Sequence, residues 1–152
     1  MSLQQRIQAD LTAAMKERDR ETVGALRMIV AEMKNAAVEK GLGPQGELSD
    51  DEVERILTRE VKRRREAAAS YRDAGREERV ASEEGDAELY ARYLPEQLDD
   101  DELLDLIDAA IEDVGAEGPQ DMGKVMGRVM GEVGSRAEGQ RVSAAVKSRL
   151  MD

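Results

Sequence analysis

An all-α fold is predicted by three features of this sequence. Apolar residues recur three and four apart in nearly every segment, and no stretch alternates in the two-residue period of a strand. Ser, Asp, Gly and Pro fall where helices would start and stop. There is no Phe or Trp, so the core must be Leu, Ile, Val, Met and Ala with three tyrosines.

The elements follow in order. Ser2 can cap a first helix to Arg18, with Leu3, Ile7, Leu11 and Met15 as its inward stripe. Asp19 can open a second, driven by Val23, Leu26, Val30, Met33 and Ala37 and stopped at Gly41. The stretch GLGPQGEL is a loop. Ser49 to Glu52 reads as a capping box for a third helix, whose buried stripe is Val53, Ile56, Leu57, Val61, Ala68 and Tyr71. Gly75 ends or kinks it. A fourth helix covers Arg76 to Leu94, anchored by Val80, Leu89, Tyr90 and Tyr93 and interrupted at Gly85 and Asp86.

Pro95 marks the domain boundary, because the residue before a proline is biased away from helical geometry. Asp99 or Asp100 caps a fifth helix carrying Leu103, Leu104, Ile107, Ile111 and Val114. Gly115 and Gly118 end it, and Pro119 opens a sixth. The last helix runs from Gly139 to Leu150, with Val142, Ala145, Val146 and Leu150 inward. The expected plan is an N-terminal bundle of about four helices over residues 1–94, then a small three-helix domain over 95–152.

Composition narrows the chemistry. The net charge of −11 gives no general pull toward nucleic acid or anionic membrane. Without Cys or His there is no disulfide, thiol chemistry, Cys/His metal site or histidine acid–base step. Carboxylates are plentiful, but no spacing singles out a catalytic one, and no phosphate-binding glycine loop or nucleophile elbow is present. The expectation is no catalytic residue, no cofactor and no metal. The acidic run Asp99 to Glu102 is better explained by helix capping than by a cation. No apolar run has the length of a membrane span, and the opening MSLQQRIQADL has no secretory h-region, so a cytoplasmic protein is expected.

Two basic features carry the functional question. The run Lys62 to Arg65, with Arg55 and Arg59, resembles a nucleic-acid stripe. Asp51–Arg55 and Glu60–Arg64 are spaced as ion pairs, and no aromatic side chain is interleaved for base stacking, so a solvated, salt-bridged face is expected. The sharper feature is MGKVMGRVMGEV, Met122 to Val133, where Met, Gly, a charged residue and Val repeat three times. Four residues overshoot a helical turn by about 40°, so each residue type forms one row. With the Met row at 0°, the Gly, charged and Val rows fall near 100°, 200° and 300°. Met and Val form one apolar face. Gly123, Gly127 and Gly131 lie outside it, beside Lys124 and Arg128. Three helical glycines cost roughly 3 kcal/mol relative to alanine. Either another helix of the same chain crosses closely there, or an external backbone or phosphate does; the remaining reading is neutral drift. From Asp99 to Glu117 every charge is acidic, whereas after Pro119 Lys124, Arg128, Arg136, Arg141, Lys147 and Arg149 outnumber the acids. A local basic patch could hold an anion, in a salt-sensitive way.

The segment YARYLPEQLDDDEL (Tyr90 to Leu103) is similar to the Tyr-Leu-Pro-x-Gln-Leu junction of the GatB/YqeY family. Gly123-Lys124-Val125-Met126, then Arg136-Ala137-Glu138-Gly139, then Val142-Ser143 and Val146 resemble its C-terminal signature, and Leu26-Arg27-Met28-Ile29 is similar too. Family tails often carry Asn-Pro or Asp-Gly where this chain has Glu138-Gly139. The resemblance spans nearly the whole chain and implies an all-α fold with a small C-terminal three-helix domain. It also implies kinship with the tail of the B subunit of glutamine-dependent tRNA amidotransferases. There the tail helps hold the tRNA, while phosphorylation and transamidation occur in a separate catalytic domain.

Three functions are therefore expected alternatives. One is a non-catalytic accessory protein associated with tRNA or another RNA, with Lys124, Arg128, Arg136, Arg141 and Lys147 on phosphates and the glycines permitting close approach. The second is a module receiving a partner helix, from an amidotransferase subunit or another protein. The third is an amidotransferase-like carbon–nitrogen ligase with glutamine as amide donor, a label that descent alone can attach.

Overall fold

The computed structural model describes residues 1–151. The protein is all-α: seven helices and two short 3-10 turns, with no strand among the described residues. The helices form two compact units, Met1–Leu94 and Pro95–Asp152.

In the first unit, α1 (Leu3–Glu17) starts from a full capping box. The Ser2 hydroxyl accepts from the Gln5 amide at 3.2 Å, and the Ser2 amide donates to the Gln5 side chain at 3.0 Å. Leu3, Ile7 and Ala14 are buried, whereas Met15 is 50% exposed, contrary to the expected stripe. A strict four-residue repeat drifts, so Met15 lies about 120° round the helix from Leu3 while Ala14 lies only about 20° away. Gln4 is also buried, because its side chain accepts from the Leu48 amide at 2.8 Å and donates to the Gly46 carbonyl at 3.3 Å. It pins the loop before α3 onto α1.

The chain leaves α1 through Arg18, in the left-handed region at φ 57°. Asp19 then caps α2 (Arg20–Glu39) by accepting from the Thr22 amide and hydroxyl at 3.2 and 2.7 Å. Ala25 and Ile29 join Leu26, Met33 and Ala37 in the core, and Val23 and Val30 are only half-buried. Those two valines sit about 100–120° round from Ile29.

Helix α3 (Asp50–Asp73) buries Val53, Ile56, Leu57, Val61 and Ala68 as expected, but Tyr71 only partly. Only half of its expected capping box forms: the Ser49 hydroxyl accepts from the Glu52 amide and donates to the Glu52 carboxylate. Helix α4 (Glu77–Ala91) runs unbroken through Gly85 and Asp86, where an interruption was expected. Gly85 faces open space, and burial of Val80, Ala87 and Tyr90 holds the helix across it. The basic run on α3 is ion-paired: Arg59 to Glu32, Lys62 to Glu66, Arg63 to Glu60, and Arg64 to Glu83 of α4. Glu60 and Arg64 stand 4.0 Å apart, whereas the expected Asp51–Arg55 pair does not form.

In the second unit, α5 (Asp100–Val114) has a complete capping box between Asp99 and Glu102 and closes at Gly115 with φ 66°. Leu103, Ile107 and Ala110 are its buried ridge; Leu104, Ile111 and Val114 are half-buried. A 3-10 turn, Pro119–Asp121, leads into α6 (Met122–Val133). A second, Gly134–Arg136, connects toward α7 (Gly139–Met151), which buries Val142, Val146 and Leu150 and leaves Ala145 half-buried. The link before α5 is tied to this second turn: the Leu98 amide donates to the Arg136 carbonyl at 2.8 Å, and the Gln97 side chain to the Ser135 carbonyl at 2.9 Å.

Candidate docking face on the sixth helix

The rows of α6 divide cleanly by burial. Val125, Val129 and Val133 are 0%, 0% and 1% exposed and form the ridge packed into the core of the second unit. Met122, Met126 and Met130, about 60° round, are half-buried along its edge. The glycine row lies about 160° from the valines, on the side farthest from the core. A Cβ added at Gly123, Gly127 or Gly131 would meet nothing within 4 Å outside the helix's own adjoining backbone. The expectation that another helix of the same chain crosses closely there is thus overturned. The valine and methionine rows make the core contacts of α6, and Arg128 of the charged row reaches α5, leaving a side-chain-free glycine strip just over two helical turns long.

The five basic residues expected to hold phosphates are engaged unequally. Arg128 contacts Asp113 of α5 at 3.1 Å and Glu132 at 3.2 Å. Arg136 donates to the Glu132 backbone carbonyl at 3.1 Å, covering one of the last carbonyls of α6. Arg141 reaches Asp100 at 2.8 Å. Arg149, also in the basic segment, pairs with Asp108 at 3.0 Å. Lys124 and Lys147 are exposed and make no ion pair among the described residues. The cations of α6 and α7 mostly answer the acids of α5. Sequence reasoning read the opening acids of α5 as caps and gave Asp108 and Asp113 no role. The signal was present, since an all-acidic helix and two basic ones must share one small core. Among the described residues no cluster of three carboxylates could hold a metal ion.

Residues 4–150 match the family model described as Yqey-like protein.

The chain belongs to the YqeY-like family.

A relative from Pyrenophora tritici-repentis (strain Pt-1C-BFP), "Altered inheritance of mitochondria protein 41, mitochondrial", is 30% identical over 134 residues, covering 87% of this chain and 71% of that protein. No helix of the YqeY-like chain is long and apolar enough to cross a membrane among the described residues.

The tyrosines of the junction motif are structural in this YqeY-like chain. Tyr90 is fully buried, and its hydroxyl donates to the Ala25 carbonyl of α2 at 2.7 Å. The Tyr93 hydroxyl donates to the Asp10 carboxylate of α1 at 2.6 Å, and the Arg6 guanidinium lies 4.9 Å from its ring centre. Burial pushes both phenols well above their ordinary range, and the Asp10 carboxylate pushes Tyr93 further. The motif thus fastens the end of α4 to α1 and α2, rather than presenting a chemical group to solvent.

Proposed function

We propose that this YqeY-like chain is a non-catalytic accessory protein that holds a helix of another protein against the glycine row of α6. On this reading the first unit is a four-helix bundle serving as scaffold. The second is a three-helix domain similar to the tRNA-holding tail of the amidotransferases.

The observation that carries the proposal is the open glycine row opposite a fully buried valine ridge. Helix axes ordinarily pack about 8–10 Å apart, depending on the side chains at the contact. A row of glycines lets a visiting backbone come closer, as small-residue stripes do in other helix pairs. The half-buried methionines offer an adaptable apolar edge on one flank. Lys124, Arg128 and Glu132 offer a mixed-charge rim on the other, the usual arrangement of a protein interface. A phosphate backbone would instead compete with Asp113, Glu132 and Asp100 for the arginines.

RNA association is the second reading. The freedom of Lys124 and Lys147 and the resemblance to a tRNA-holding tail favour it. One experiment separates the two: affinity capture from the native host with the full chain as bait, at high salt, with and without nuclease. A protein partner retained under both treatments and lost with a folded Gly127→Leu bait supports helix docking. Retention by the Gly127→Leu bait would overturn it. Nuclease-sensitive capture lost with Lys124→Glu would establish the RNA reading instead. The cytoplasm remains the proposed compartment on sequence grounds; the mitochondrial location belongs to the relative's name.

A further inference from the structure

The corner where α1 turns into α2 carries an open groove of about 550 Å³, lined by Met15, Arg18, Arg20, Val23, Gly24 and Arg27. Its walls are mostly apolar, yet three arginines stand around it. None of them makes an ion pair among the described residues, although the chain carries 34 acidic residues. The nearest acids in sequence do not neutralise them. The Asp19 carboxylate is held by Thr22. Glu17 and Glu21 form no ion pair there, and Glu21 is felt electrostatically by Asp86 of α4.

On α2 the four lining residues share one stripe. Taking Arg20 as reference, Gly24 lies about 40° to one side and Arg27 about 20° to the other, with Val23 about 60° round. Arg20 and Arg27 are two turns apart, about 10 Å along the axis. Between them Gly24 is exposed, and an added Cβ there would meet nothing within 4 Å. Met15 flanks the stripe from α1 at half exposure. Arg18 is delivered beside it by a left-handed backbone more commonly given to Gly or Asn.

We infer that this corner docks an acidic amphipathic helix of a partner protein. Carboxylates two turns apart on the visitor engage Arg20 and Arg27, and apolar side chains between them enter the groove over Gly24 beside Met15 and Val23. Charge complementarity selects this occupant. A continuous polyanion would also meet Glu17, Asp19 and Glu21, which alternate with these arginines in the chain, whereas a helix can space its carboxylates to avoid them. No aromatic side chain lines the groove to stack a base. The lining residues share none with the α6 face.

The test is a fluorescence titration of the full chain with a blocked synthetic helix bearing two glutamates two turns apart and leucines between them. A scrambled peptide of the same composition is the control. The expected result is saturable binding of the ordered peptide, weakened about tenfold or more by Arg20→Glu with Arg27→Glu and by Gly24→Leu, at unchanged helicity. Should Gly24→Leu perturb folding, Gly24→Gln serves in its place, since the space beside Gly24 is open. Absence of binding, or equal binding by the scrambled peptide or by all variants, would overturn the inference. So would competition by polyuridylate through the same arginines, or self-association of the chain abolished by Arg27→Glu, which would assign the corner to RNA or to a second copy.

Discussion

Replacing the glycine row of α6 with alanine should make the second unit more stable, although it fills the strip proposed to be functional. Gly127 sits mid-helix and carries the full penalty of about 1 kcal/mol relative to alanine. Gly123 is the second residue of α6 and Gly131 the third from its end, where we take the penalty as about half as large. No steric cost offsets these gains, because none of the three added methyls meets an atom within 4 Å outside the helix's own adjoining backbone. The triple variant Gly123→Ala, Gly127→Ala, Gly131→Ala should therefore gain about 2 kcal/mol. For a domain of this size that corresponds to roughly 8–16 °C in midpoint. Thermal and urea unfolding followed by circular dichroism measure the gain, and native-state amide exchange assigns it to α6. A loss of stability would mean that the methyls strike something in the folded chain. The strip would then be covered, and the reasoning about α6 would be wrong.

Three further outcomes follow. Ile107→Ala removes a fully buried side chain from the core of the second unit and should cost about 2–5 kcal/mol in urea unfolding. Arg128→Glu breaks two exposed ion pairs and should cost about 1 kcal/mol or less, so any large stability change would show that the pairs do more than sit on the surface. The pH dependence of stability should turn down above about pH 10, the unfolded tyrosine value. Tyr90 and Tyr93 stay protonated in the folded chain while the unfolded chain ionises, so their contribution is complete below that pH and is lost as pH rises toward their folded values. The double variant Tyr90→Phe, Tyr93→Phe should show a shallower alkaline fall.

The helix plan was legible because capping residues and glycine stops act locally: Ser2, Asp19, Ser49, Asp99, Gly41, Gly75 and Gly115 all punctuate helices. Face assignment was less secure. A four-residue stripe rotates about 40° per step, so Met15 left the core and Ala14 entered it. The burial of Gln4 was invisible for a different reason: its partner lies 44 residues away, which periodicity does not encode. The α6 rows were legible in direction. Whether anything covered the glycines was not, since that depends on where α5 and α7 pack. The same long-range pairing decided the fate of the arginines, with Asp113 and Asp100 claiming Arg128 and Arg141.

The chain has no cysteine, so a single Gly127→Cys substitution reports directly on the strip. Its thiol should react with a maleimide as fast as one at the exposed helical position Ala69, and should become protected when the captured partner is added. A thiol at position 127 already shielded in the free, folded chain, or equally reactive with the partner bound, would contradict the account.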